Sequence, residues 1–154
     1  MKRFLILIII FIGLVSISGC KSKFTYDDMK KVTYETLLDL NGSYIVVAYQ
    51  ANCPNCEKLK GIVYDYIKYT EKHPDAMPIY AINVNTALNK KMLLLKNEDY
   101  PSNMIGATNY KNIKVKATPS IMVIKNKELV KVISDYNTLT PVTDGKTYFK
   151  ELMK

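Results

Sequence analysis

Cys53 and Cys56 stand three positions apart in the run Cys53-Pro54-Asn55-Cys56. Two thiols at that spacing at a helix start can close and reopen a disulfide reversibly, which is two-electron chemistry. The residues before them, Tyr44 to Tyr49, form a β-branched and aromatic run of strand length, and those after them, Glu57 to Thr70, have helical spacing. The pair therefore falls at a strand-to-helix junction. There the free helix amides and the positive end of the helix dipole favour an anion, so Cys53 should ionise more readily than an ordinary cysteine. Because the thiolate is the attacking species, Cys53 is the expected nucleophile and Cys56, one turn on, the expected resolving thiol. Pro54 suits a first helical position, where no amide donor is needed, and Asn55 adds a polar, uncharged neighbour.

Two other uses of the pair have to be weighed. A permanent disulfide closing so short a loop would constrain little unfolded-chain entropy. A zinc site would want four ligands, and His73 is the only histidine available to join the thiols. No metal or other cofactor is expected. The 12 tyrosines are spread over core-like and surface positions alike, and neither they nor His73, beside Pro74 in an expected loop, carry an assigned role.

The elements that must hold the pair come next. At 154 residues and 48% hydrophobic, the chain is long enough for one domain with a single core, and it is too apolar for general disorder. No linker, repeat or low-complexity tract interrupts it. Lysines and arginines number 22 against 14 acids, for a formal net charge of +8, two of the cations lying at Lys2 and Arg3. The lysines are dispersed and not interleaved with aromatics, so no nucleic-acid partner is expected. An ordinary solvated basic surface accounts for the charge, and attraction to an anionic envelope surface is compatible with it.

After Met1-Lys2-Arg3, Phe4 to Val15 is an almost unbroken apolar run, shorter than the roughly 20 residues of a spanning helix. It has the form of a signal peptide, here residues 1–19. Ile17-Ser18-Gly19-Cys20 resembles the bacterial lipobox, which implies acylation of Cys20 and a mature chain beginning there; a plain N-terminal membrane anchor is the alternative. Lipidation makes the cysteine count self-consistent, since an exported chain of three cysteines otherwise leaves an odd thiol. Residues 20–30 then form a lipid-anchored spacer, with Lys21 and Lys23 placed to meet anionic headgroups. The implied location is the extracytoplasmic face of a bacterial cell membrane.

The domain is expected over residues 31–154. Lys31 to Thr33 reads as a short edge strand leading into a helix capped by Thr33 and ended by Asn41-Gly42, with Leu37, Leu38 and Leu40 on its apolar face. Tyr44 to Gln50 reads as a central strand buried on both faces. Leu59, Ile62, Val63, Tyr66 and Ile67 line one face of the following helix, which His73-Pro74-Asp75 breaks. Met77 to Val84 is the next strand, parallel to the first. A helix is expected over Thr86 to Lys96, a long polar surface loop over 97–114 with at most one helical turn, a hairpin over Ser120 to Ile133 turning at Lys125-Asn126-Lys127, and a closing helix over Tyr148 to Met153. The fold class is α/β, a central mixed sheet flanked by helices.

The strand, the C-x-x-C at the helix start, and the downstream Ala117-Thr118-Pro119-Ser120 running into Ile121-Met122-Val123-Ile124 together resemble the thioredoxin superfamily, over about residues 33 to 135. The resemblance implies a thioredoxin-like fold and thiol–disulfide oxidoreductase activity. It also implies that Pro119 is cis and lies against the cysteines, leaving the backbone of Thr118 free to bind an extended substrate by strand addition. From residues alone, Pro119 would be an ordinary trans proline leading a strand. Exported protein or peptide thiols and disulfides are the implied substrates, with a membrane redox partner. Departures from the family pattern are Asn52 and Val47, where thioredoxins carry a tryptophan and a buried acid. Pro54 is shared with Dsb-type oxidases, but Asn55 stands where those have histidine. Bacteriocin-transport accessory proteins look similar around the same segments, so a non-catalytic accessory or binding module is the second reading.

Overall fold

The computed structural model describes residues 24–95, 97–133 and 141–154. The expected signal peptide, Cys20 and the first residues of the spacer lie outside the described residues. Among those described, no helix is long and apolar enough to cross a membrane.

Four strands form one mixed sheet: β1 (Ser43–Tyr49), β2 (Ile79–Asn83), β3 (Ser120–Lys125) and β4 (Glu128–Ile133), in the order β2-β1-β3-β4. β1 pairs parallel with β2 and antiparallel with β3, and β3 pairs antiparallel with β4. Two-residue closure of the β3–β4 hairpin puts Asn126 and Lys127 at φ 49° and 67°, both left-handed, as a tight turn matching strand twist requires. α1 (Pro54–Lys72) joins β1 to β2, and α2 (Pro141–Leu152) closes the chain.

β1 is buried on both faces, and its alternation sorts the core into two layers. Ile45, Val47 and Tyr49 point to the face covered by α1 and α2, where they meet Leu59, Val63, Tyr66 and Phe149. Tyr44, Val46 and Ala48 point to the other face, where they meet Val32, Leu37, Met92, Ile113 and Val115. Among the described residues, only the first face is covered by helices. The second is covered by irregular chain, residues 32–38, 84–95 and 97–116, with single 3₁₀ turns at Lys90–Met92 and Tyr110–Asn112.

Two expected helices are therefore absent. At Thr33 the hydroxyl caps nothing longer than a turn. Thr33 and Thr36 exchange hydrogen bonds, Thr33 N donating to Thr36 Oγ1 at 3.1 Å and Thr36 N to Thr33 Oγ1 at 3.3 Å, and the Tyr34 amide goes to Asn89 Oδ1 at 2.8 Å. Beyond these N-terminal bonds the backbone closes only i→i−3 turns, Leu37 N donating to the Tyr34 carbonyl at 3.4 Å and Asp39 N to the Thr36 carbonyl at 3.1 Å, before Gly42 takes φ 77° and the chain enters β1. The Thr86–Lys96 segment fails as well. Thr86 and Asn89 bond back to the Asn83 carbonyl, Leu93 bridges to Val115, and Leu88 and Leu95 point into solvent. Lys96 itself lies outside the described residues. The 97–114 segment contains the one expected helical turn but is not merely a surface loop, since Met104, Ala107 and Ile113 are buried. The expected edge strand at Lys31 shrinks to one parallel bridge with Ala81. α2 begins earlier than Tyr148. Packed chain also begins upstream of Lys31, because Tyr26 and Met29 are buried in the helix-side layer.

α1 and α2 meet closely at Gly145. A Cβ there would lie 2.8 Å from Ile121 Cδ1 and 3.0 Å from Leu59 Cδ1, both core atoms, whereas a Cβ at Gly61 in α1 would meet nothing. Glycine in a helix interior costs roughly 0.5–1 kcal/mol relative to alanine, so Gly61→Ala should stabilise by about that amount. Overpacking a filled core costs about 1–3 kcal/mol, so Gly145→Val should destabilise by about 2 kcal/mol despite relieving the same backbone penalty. Urea unfolding of the two variants checks the opposite signs.

Candidate functional site

The chain leaves β1 at Tyr49 and must begin a helix at Pro54, five residues later. Asn52 makes this possible by adopting φ 58°, in the left-handed region that asparagine enters more readily than most residues. Cys53 follows with extended angles as the N-cap of α1, and Pro54 occupies the first turn. Cys56 N–H donates to Cys53 Sγ at 3.1 Å, so the sulfur fills the role that a capping hydroxyl usually has. A sulfur that accepts a helix amide at the positive end of a 19-residue helix is favoured in its anionic form.

The two cysteines are joined as a disulfide, their Cα atoms 5.2 Å apart. They differ in access. Cys53 is partly exposed, whereas Cys56 is 1% exposed and belongs to the helix-side core with Leu59 and Val63. An incoming disulfide can reach only the first. Pro54 is exposed and Asn55 partly so, next to the reachable sulfur.

Thr118 and Pro119 come from the opposite direction, at the end of the 84–116 connection and immediately before β3. The Thr118–Pro119 peptide is cis. The Thr118 carbonyl oxygen lies 3.4 Å from Cys53 Sγ, and Thr118 Oγ1 lies 3.4 Å from the same sulfur. The fold thus brings together residues that are 65 positions apart in sequence. Pro119 is buried and Thr118 partly exposed, so the main chain beside the sulfur borders solvent.

Other sequence candidates are elsewhere. His73 is at the far end of α1 from the cysteines, roughly 25 Å along the helix at 1.5 Å per residue, where its ring stacks on Tyr69 at 3.9 Å. It cannot join the thiols around a metal, and no cluster of His, Cys, Asp or Glu among the described residues could hold one. Val47, at the position of the missing acid, is fully buried among apolar neighbours. Tyr49 packs in the same layer and donates to Asp27 Oδ1 at 2.5 Å.

Three participants are not evident from the sequence alone. Gln50 Oε1 lies 3.4 Å from the Thr118 hydroxyl, and Asn52 supplies the left-handed turn. Tyr26, 30 positions upstream, donates its phenol to the Cys56 carbonyl at 2.9 Å. The available signals were slight: a polar residue ending an apolar strand for Gln50, and a Thr25-Tyr26-Asp27-Asp28 capping pattern for the turn that carries Tyr26.

Asn52 is the local requirement on which the cap depends, and it is testable by its backbone alone. A left-handed conformation costs about 1–2 kcal/mol for an ordinary L-residue and little for glycine. Asn52→Gly should therefore fold with near wild-type stability, and Asn52→Val should lose about 1–2 kcal/mol in urea unfolding. The exposed side chain offers no packing loss to explain a difference.

No family model matches the sequence, and no curated protein matches it. Solved structures do resemble the fold. Mitochondrial thioredoxin 3 from Saccharomyces cerevisiae, in its oxidised form, superimposes with a TM-score of 0.53 at 17% identity, covering 82% of this chain and 97% of that one. A structure described under the thiol resolving mechanism of a yeast mitochondrial 1-Cys peroxiredoxin gives a TM-score of 0.51 at 16% identity, covering 83% and 99%. With its mixed sheet, its helix-start disulfide and these neighbours, the chain has a thioredoxin-like α/β fold.

Proposed function

We propose that this chain is a thiol–disulfide oxidoreductase acting on exported proteins or peptides, held at the extracytoplasmic face of a bacterial membrane by a lipid on Cys20. The observation that carries the redox reading is the environment of Cys53 Sγ: a partly exposed sulfur at a helix N-cap, accepting the Cys56 amide, with the Thr118 main chain beside it. The leader pattern and the odd cysteine count support the tether.

In the reducing direction, Cys53 thiolate attacks one sulfur of a substrate disulfide. A Cys53–substrate bond forms and the other substrate sulfur leaves as a thiolate. Cys56, having given up its proton, then attacks Cys53 Sγ. The Cys53–Cys56 disulfide forms, the second substrate thiolate departs, and two electrons have passed to the substrate. The oxidising direction is the same sequence reversed, and the potential of the couple relative to its partner decides which one runs. An extended substrate would pair with the Thr118 backbone by strand addition, which holds its sulfur near Cys53 with little demand on side-chain identity. A membrane redox partner would return the couple to its starting state.

The roles of the two thiols predict different variants. Cys56→Ser should accumulate mixed disulfides with exported partners, visible as adducts on non-reducing gels and released by dithiothreitol. Cys53→Ser should form none and reduce turnover to background. Adducts on Cys53→Ser alone would reverse the roles, and a wild-type protein that exchanges with no dithiol or disulfide would leave the accessory-module reading in its place.

The tether is tested separately. Labelled fatty acid should enter the full-length protein and not Cys20→Ala, whose product should leave the membrane fraction. Equal labelling of both would remove the lipoprotein assignment while leaving the redox chemistry untouched.

A further inference from the structure

The phenol of Tyr26 reaches the redox turn from outside the sheet and helices. Its ring is 4% exposed and stacks on Tyr49 at 4.9 Å. Its backbone is fixed on both sides. Thr25 N donates to Asp28 Oδ2 at 2.7 Å, Thr25 Oγ1 to the same oxygen at 3.0 Å, and Asp28 N to the Thr25 carbonyl at 3.1 Å, which closes the Tyr26–Asp28 turn. The next residue, Asp27, accepts from the Tyr49 hydroxyl, and Lys31 Nζ donates to the Tyr26 carbonyl. A phenol held this firmly is aimed at one acceptor, the carbonyl of Cys56.

That carbonyl belongs to the peptide unit whose other end, Glu57 N–H, donates to the Cys53 carbonyl at 3.1 Å. A continuous chain of hydrogen bonds therefore runs from the Tyr26 O–H through the Cys56–Glu57 peptide to the backbone of Cys53. Donation to a peptide oxygen polarises the unit and strengthens the donation from its own N–H. The Cys53 backbone so fixed is the one that presents Sγ to the Cys56 amide. Burial, with the Glu57 carboxylate adding to it, pushes the phenol well above its ordinary range, so the donor is retained at every physiological pH.

We propose that Tyr26 is a positioning residue of the Cys53–Cys56 couple: through the Cys56–Glu57 peptide it holds the N-cap geometry that favours the Cys53 thiolate, and so makes the couple more oxidising. The inference rests on the redox reading given above. Its sign follows from linkage. Stabilising the thiolate stabilises the reduced form, so removing the donor shifts the equilibrium toward the disulfide.

The test is Tyr26→Phe in the full chain, which keeps the ring and removes only the O–H. In glutathione redox buffers the variant should favour its disulfide three- to tenfold more than wild type, tenfold being about 30 mV for a two-electron couple. The thiolate absorbance of Cys53 should also titrate at higher pH. Tyr44→Phe is the control, since it deletes a comparable buried phenol bond, to the Leu37 carbonyl at 2.8 Å, on the opposite face of the sheet. It should leave both quantities within twofold of wild type. Thr25→Ala, which loosens the turn carrying Tyr26 without touching the core, is the second variant and should shift both in the same direction by a smaller factor. If the wild-type couple equilibrates and neither Tyr26→Phe nor Thr25→Ala moves it, or if Tyr44→Phe moves it equally, the positioning role is overturned. A wild-type couple that does not equilibrate with glutathione overturns the redox reading, and the positioning role with it.

Discussion

The structure turns on a helix start whose capping group is a sulfur. An α-helix leaves its first amides without intrahelical partners, and a side chain at the N-cap ordinarily accepts from one of them. Here the acceptor is Cys53 Sγ, so the interaction that begins α1 is also the one that makes the sulfur reactive. The two purposes impose the same geometry. Everything upstream serves it: β1 supplies a rigid, doubly buried launch point, and Asn52 makes the one left-handed step that turns the chain from strand to cap. Helix α1 is held in place by Leu59, Val63 and Tyr66 against the sheet, and by Gly145, where α2 approaches closely.

The second approach to the sulfur depends on a different part of the molecule. Thr118 reaches Cys53 because the long connection from β2 to β3 is fastened beneath the sheet instead of standing off it. Met92, Met104, Ile113 and Val115 are buried there, and the Leu93–Val115 bridge closes the connection on itself a few residues before Thr118. A run of more than 30 residues with little regular structure would be a poor positioning device if it were only a surface loop. Its apolar side chains, spaced without strand or helix period, convert it into a packed layer. This explains how one face of the sheet can lack helices and still bury Tyr44, Val46 and Ala48.

What was legible in the sequence divides along the same line. The strand before the cysteines, the helix after them, the parallel crossover and the hairpin all carry period and punctuation, and each lies within a few residues of its expected place. The helices expected at Thr33 and Thr86 do not form: spaced leucines resemble an amphipathic face, but after Thr33 the backbone closes only i→i−3 turns, and after Asn83 the Thr86 and Asn89 side chains hold its carbonyl, bonds visible only when the partners are placed. Local hydrogen bonding won over hydrophobic spacing in both. Within the site, Cys53, Cys56, Thr118 and Pro119 were legible because each sits in a recognisable run. Tyr26 and Gln50 were not, since their relevance consists of a single long-range hydrogen bond or approach and leaves no pattern along the chain.

The residue at the sheet position beneath the helix start, Val47, shows how this site is balanced. Val47 pairs with Ala81 on one side and Ile121 on the other, and it is fully buried in the same layer as Cys56. A carboxylate there would have to be desolvated, and ionising it next to a thiolate would set two negative charges against each other. An apolar residue avoids both costs and strengthens the sheet-to-helix packing, but it contributes nothing to moving the proton of the buried thiol. The polar support that remains in this layer consists of donors. The Cys56 amide points at Cys53 Sγ, and the Tyr26 phenol points at the Cys56 carbonyl. Donors stabilise negative charge without accepting a proton, so this arrangement lowers the cost of forming a thiolate while leaving proton removal to groups reached from solvent.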